Sequence, residues 1–263
     1  MRILTTIGRL WYLAKLGALS LLPTKPWRKR APRDDPAGLE YVELVVGPDG
    51  ADAPLPMLVL LHGFGSQPEA LRTVALKLGI GVRVILPAAP IRHALGSSWF
   101  TGTNRGVAAE QARRSAASLV SLVSALTAER PTIGRPVVAG IAQGGTICHS
   151  LVLYRPDFFA ASFPLAGECV ERVPSMLHGG AKTIVRAFHS VGDPVTSVRS
   201  ARAAIERLRA AGIDAELNEW LGFGDQAGSE MVEAWCAGVR DALLRETIVS
   251  FRIETRAAVG SAQ

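Results

Sequence analysis

From residue 41 onward the chain alternates between two rhythms of apolar positions. Short runs that are almost continuously apolar, at 41–46 (YVELVV), 57–62 (MLVLLH), 82–86 (VRVIL), 137–141 (VVAGI), 160–166 (AASFPLA), 183–189 (TIVRAFH) and 215–221 (AELNEWL), read as strands, several of them buried on both faces. Between them, apolar residues recur at helical spacing near 68–79, 106–128, 143–154, 197–211 and 228–246, and Gly212 follows the fourth where a C-terminal cap belongs. Such alternation predicts an α/β architecture: a mostly parallel, twisted sheet of about seven strands with helices on both faces, spanning residues 40–250. Functional loops in such sheets gather at the C-terminal ends of the strands. Residues 31–39, rich in Pro, Asp and Arg, read as a linker, and 251–263 as a C-terminal tail.

The first 22 residues follow a different rhythm. Ile3, Ile7, Leu10, Trp11, Ala14, Ala18 and Leu21 share one helical face, with Arg2, Thr5, Thr6, Arg9 and Ser20 opposite. Arg9 and Lys15 interrupt the run, so no uncharged stretch reaches the roughly 18 residues of a membrane span. Three readings stand. The segment lies in a membrane interface, with Lys25, Arg28, Lys29, Arg30 and Arg33 drawn to anionic lipid. It packs on the domain as a helix or forms a loosely ordered leader. Or it is a cleaved signal, against which stand the missing A-x-A-like site and the basic flank.

Charge sharpens this division. The chain of 263 residues carries a net +6, of which residues 1–40 hold +5 and the remainder +1. The body is therefore nearly neutral, which argues against a large nucleic-acid footprint and makes a nucleic-acid partner unexpected. Cys148, Cys169 and Cys236 form neither a metal-ligand spacing nor a disulfide framework, so a reducing, cytoplasmic setting fits, held to a membrane if the N-terminal segment binds one. No cofactor or metal is expected.

The candidate chemistry sits where the strands end. After 57–62 comes Gly63-Phe64-Gly65-Ser66; after 82–86, Pro87-Ala88-Ala89-Pro90 and then GSSWF (96–100); after 137–141, Ala142-Gln143-Gly144-Gly145; after 183–189, Ser190-Val191-Gly192-Asp193-Pro194-Val195; after 215–221, Gly222-Phe223-Gly224-Asp225. In this order and spacing the set resembles the phospholipase/carboxylesterase family of α/β-hydrolases, which includes acyl-protein thioesterases. The likeness spans about residues 55–246. It implies an α/β-hydrolase fold, an acyl-ester chemistry, oxyanion-hole donors at the N–H groups of Phe64 and Gln143, and a triad acid at Asp193. It also places Ala142 at the nucleophile position of G-x-S-x-G, Asp225 at the histidine position, and Thr101 where the family has an aspartate.

Acyl transfer of that kind needs a hydroxyl to attack, an imidazole to relay the proton and a carboxylate to orient the imidazole. Ala142 offers no nucleophile, and a carboxylate at 225 is a weak base at neutral pH. All five histidines, His62, His93, His149, His178 and His189, precede Asp193, so the order Ser…Asp…His is not completed by another residue. His62 and His189 read as structural, His149 as too far along its helix, and His93 and His178 as loop residues. Cys148 and Thr146 read as helix packing, and Ser66, Ser97 and Ser98 as turn residues.

What the resemblance leaves is a carbonyl- or anion-binding corner at a helix N-terminus, over an apolar cleft with Phe64, Trp99 and Phe223 as candidate walls. Asp193 and Asp225, if adjacent, would share a proton. Three functions follow: a silent homologue that binds an acyl or lipid-like ligand or a partner; an ester hydrolase working by an unorthodox route, with water activated by the two aspartates; and a plain interaction module.

Overall fold

The computed structural model describes residues 28–30, 38–48, 50, 52–94, 96–101, 104–177, 182–221 and 225–260. In chain order these form β1 (Arg28–Arg30), β2 (Tyr41–Val46), β3 (Met57–Leu61), a 3-10 turn (Pro68–Leu71) running into α1 (Arg72–Leu76), and β4 (Val82–Pro87). Then come the hairpin strands β5 (Ile91–Arg92) and β6 (Ser97–Ser98), α2 (Arg105–Glu129), β7 (Val137–Ile141), α3 (Gln143–Tyr154) and β8 (Ala161–Leu165). The chain closes with β9 (Ile184–Ser190), α4 (Val198–Ala210), β10 (Ala215–Trp220) and α5 (Asp225–Gly260).

One sheet organises the molecule, in the order β1-β2-β4-β3-β7-β8-β9-β10. From β4 to β10 every neighbouring pair is parallel, while β2 runs antiparallel to β4 and β1 antiparallel to β2. The strands with near-continuous apolar runs, β3, β4, β7 and β8, are buried along their whole length, as a sheet covered on both faces demands. On one face, Leu58, Leu60 and Val84 pack with α1 residues and with Trp235 and Leu243 of α5. On the other, Met57, Val59 and Ile85 pack with Leu119 of α2 and Ile147 of α3. A smaller cluster joins β9 and β10 to Ile205 and Leu208 of α4.

Local signals explain the element ends. Asn104 caps α2 by accepting from the N–H groups of Gly106 and Val107, and Ser197 caps α4 through Arg199 N–H. α3 is buried from Gly144 to Val152, so it runs as a central helix with no solvent stripe.

The structure departs from the sequence pattern in three places. The helix expected over 68–79 is a 3-10 turn followed by a five-residue helix, with Pro68 at its start and Gly79 at φ 64° just after it. α5 runs on through 251–260, where a tail is expected. Arg28–Arg30, read as part of a basic cluster, pairs as β1 with Glu43, Val42 and Tyr41 and adds an eighth strand. Residues 1–27 and 31–37, which carry the amphipathic segment and most of the linker, lie outside the described residues. Among the described residues no helix is long and apolar enough to cross a membrane.

Candidate functional site

The site is built where β7 meets α3. Ala142 stands between them at φ 54° and ψ −112°, in the positive-φ region that a residue with a side chain enters at a cost. Its N–H donates to Leu165 O (2.8 Å) and its C=O accepts from Thr146 N–H (3.0 Å), which locks the turn to β8 below and to α3 ahead. This is the sharp strand-to-helix elbow that lifts a side chain above a sheet. The turn closes only because side chains are missing nearby: a Cβ on Gly144 would run into Leu61 O, and one on Gly140 into Gly144. The elbow expected at 140–145 is therefore present, with a partly exposed methyl at its apex.

The loop after β3 lies directly against that methyl. A Cβ built on Gly63 would sit 3.5 Å from Ala142 Cβ. The next residue, Phe64, is 54% exposed. The Gln143 N–H is the first of α3 and has no intrahelical acceptor by geometry. The two chain segments expected to supply an oxyanion hole thus meet at one corner. The Gln143 side chain does other work: Oε1 accepts from Trp99 N–H (3.1 Å) and Nε2 donates to Phe100 O (2.9 Å).

His62 props the loop from beneath. Its Nδ1 donates to Gly63 O (2.8 Å), so Nε2 is the acceptor for Ala89 N–H (3.2 Å). Burial pushes its pKa below the usual histidine value, which keeps this neutral tautomer. The structural role expected for His62 is what these bonds describe.

Trp99 is not a cleft wall. Its side chain is fully buried, with the indole N–H donating to His62 O (2.8 Å), so it is a strut under the corner. An aromatic residue after a turn looks like a wall in sequence, but a buried acceptor for its N–H turns it inward. Phe223 lies outside the described residues. A cavity of about 510 Å³ does open beside the β5–β6 hairpin, lined among others by Tyr41, Gln67, Glu69, Arg92, His93 and Ser97. It is half polar, and neither Ala142, Gln143 nor Phe64 lines it.

Asp193, the expected triad acid, is occupied in its own loop. Its Oδ1 accepts from Val195 N–H (2.8 Å) and Thr196 N–H (3.0 Å). Thr196 O in turn accepts from Nε2 of the buried His189 (2.8 Å). The carboxylate and His189 together staple the turn after β9. Asp225 opens α5, and its side chain lies outside the described residues, as does His178; the shared proton with Asp193 falls on that side chain. Thr101 ties its N–H to Gln111 Oε1 (2.7 Å).

His149 is deep in the protein behind the elbow, and burial, with the nearby His189 adding to it, lowers its pKa to about 4. Its Nδ1 has no partner. Cys148 is likewise buried, and burial pushes its thiol well up, so it is no nucleophile. Two features were not legible beforehand. His93 Nε2 lies 2.6 Å from Ser98 Oγ across the β5–β6 hairpin, with the Phe64 ring 5.4 Å from the imidazole. The strand pairing Ile91 with Ser98 creates that contact. Arg105 at the start of α2 reaches Glu168 Oε1, Cys169 O and Val170 O, pinning the loop after β8 beside the elbow, while Glu168 N–H donates to Thr146 Oγ1 (3.1 Å). No group of three or more His, Cys, Asp or Glu residues able to hold a metal occurs among the described residues.

No protein-family model matches the chain, and no curated protein is similar to it in sequence. Solved structures are similar in fold. Esterase PE8 superposes with a TM-score of 0.61 at 22% identity, over 74% of this chain and 99% of its own. The carboxylesterase of Bacillus cereus gives 0.61 at 16%, over 76% and 94%. SOBER1 of Arabidopsis thaliana gives 0.56 at 18%, over 69% and 97%. The chain thus has the α/β-hydrolase fold, shared with esterases.

Proposed function

We propose that this chain is a non-catalytic member of the phospholipase/carboxylesterase family, which holds the carbonyl or carboxylate end of an acyl or lipid-like ligand at the Phe64–Gln143 corner. One observation carries the reading: the elbow retains its strained backbone at φ 54° while its apex bears the methyl of Ala142. Backbone donors and the α3 N-terminus suit a partial negative charge without any side-chain chemistry. The proton relay is missing its imidazole, since position 225 is an aspartate. Retention of Asp193 is accounted for by its two loop hydrogen bonds, with no catalytic duty needed.

A second reading, a weak ester hydrolase, is favoured by the Ser98–His93 pair, whose 2.6 Å separation is that of a nucleophile and its base. Against it, Ser98 is fully buried and the pair spans a hairpin it would serve to clamp. Initial rates with p-nitrophenyl butyrate decide. The first reading expects purified protein to match a heat-inactivated control. Turnover that survives repurification and disappears in Ser98→Ala would replace it with the second.

A further inference from the structure

The cavity of about 510 Å³ beside the β5–β6 hairpin is separate from the Ala142 corner, and its chemistry differs. It opens where β4 ends and β2 begins, since Tyr41 pairs with Pro87. That is the end of the sheet at which the parallel strands finish, where ligands bind in open α/β sheets. β4 stands two strand spacings from β7, about 10 Å across the sheet. The walls come from 38–42, from 67–69 in the 3-10 turn, and from 88–90 with the hairpin, joined by Ser118 of α2. Small-molecule sites span roughly 300–1,000 Å³, and this volume falls inside that range.

Main-chain bonds preform these walls. Ala88 N–H donates to Glu40 O (2.7 Å), tying the end of β4 to the approach to β2. His93 N–H donates to Gly96 O (2.7 Å), which closes the hairpin. Ser97 N–H donates to Ser66 O (3.0 Å) and Gly65 N–H to Ser97 O (2.9 Å), so the hairpin is laced to the loop after β3. Ala89 N–H is held by His62 Nε2 (3.2 Å). Gly96 lies so close to that loop that a Cβ on it would meet the carbonyl oxygens of both Gly65 and Ser66. A ligand therefore finds the shape already made, at little ordering cost.

The buried part of the lining is Leu39, Val42 and Ala89, with Tyr41 and Ser97 among them. Toward the mouth Glu40, Gln67, Arg92 and His93 are exposed and Glu69 is half-buried. Arg92 Nη2 donates to Glu40 Oε1 (2.7 Å), so both signs of charge stand side by side there. An anion entering the mouth meets Glu40 and Glu69, and an organic cation meets Arg92. A hydrocarbon chain would strip water from all three and replace none of the lost hydrogen bonds. Hydroxyl groups suit instead: each donates to a carboxylate or accepts from a guanidinium, and hydrogen bonds to charged groups are the stronger ones. We propose that this cavity binds a small, neutral polyhydroxyl ligand of the sugar class, with hydroxyls toward Glu40, Glu69 and Arg92 and C–H faces against Tyr41, Val42 and Ala89. The site stands whether or not the Ala142 corner holds a ligand.

Saturation-transfer NMR on the full-length chain tests it, with glucose, galactose, mannose, N-acetylglucosamine, maltose and myo-inositol as probes and tetramethylammonium and inorganic phosphate as charged comparisons. At least one polyol is expected to bind wild type, and Glu40→Ala/Arg92→Ala to weaken that binding about tenfold or more by removing charge-assisted bonds. Both side chains are exposed, so circular dichroism is expected to show the double variant folded. Ser118→Phe, which puts a ring into the cavity from α2 and leaves the mouth intact, is expected to block the same polyol. Silence from all of these polyols overturns the proposal. So does a folded double variant that binds like wild type, or unimpaired binding by Ser118→Phe. Tetramethylammonium or phosphate binding that the double variant loses, with the polyols silent, assigns the cavity to a charged ligand and likewise overturns it.

Discussion

The elbow and the loops after β9 and β10 are held in different ways. At the β7–α3 elbow the strand-to-helix turn closes at Ala142, φ 54°, with a methyl at its apex. In the loop after β9, Asp193 is bonded within its own turn, and after β10 Asp225 opens α5. The contrast teaches what holds each residue in place. Gly140, Gly144 and the twist at Ala142 are required by packing of α3 against β3 and β8, with or without chemistry. On the proposed function, no reaction holds the side chains at positions 142 and 225.

Several substitutions would sharpen or break that contrast. The largest effect is expected for Gly144→Ala, whose methyl meets Leu61 O with nowhere to move; a loss of about 3 kcal/mol or more in urea denaturation follows. A stable variant would mean that the elbow is not set by packing. Next is acid sensitivity from His149. Its folded pKa of about 4 lies below the unfolded value, so the unfolded chain binds the extra proton first. Stability is then full above the unfolded pKa of about 6.5 and falls as pH drops toward about 4, by roughly 3 kcal/mol from this one group. Denaturation midpoints at pH 7.5 and 5 should diverge in wild type and draw together in His149→Gln; equal slopes would contradict this.

Smaller again is Asp193→Ala, which strands the N–H groups of Val195 and Thr196 and should cost about 1–2 kcal/mol, while Asp193→Asn keeps an acceptor and most of the stability. An Asp193→Asn protein as unstable as Asp193→Ala would show that charge, and not the turn, is what matters there. Least of all is Arg202→Gln. Its exposed ion pair with Glu219 on the neighbouring strand should leave the midpoint unmoved, because solvent screens such pairs.

Much of this was legible in the sequence because apolar runs report burial directly. β3, β4, β7 and β8 stand where the runs stand, and α3 spans 143–154 as its pattern requires. The elbow was legible from three glycines and a β-run. What stayed hidden depends on partners distant in sequence. β1 exists through pairing with Tyr41–Glu43, and three arginine and lysine residues give no strand signal. Trp99 turns inward because His62 O is there to accept, and Ser98 meets His93 because a hairpin brings them together. The 510 Å³ cavity, bounded by β2, the 3-10 turn and the hairpin loop, has no local signature at all.

The central proposal is that the Ala142 corner still fits a carbonyl group and that the chain lacks the groups to attack it. The most direct measurement is p-nitrophenyl butyrate hydrolysis by the double variant Ala142→Ser/Asp225→His beside wild type, assayed at pH 8. The account predicts wild type at the level of the heat-inactivated control and the double variant at least about a hundredfold above it, since a reassembled serine and base restore only part of the roughly 10⁶-fold that an intact triad provides. Wild type already turning over, with the double variant no faster, would contradict it.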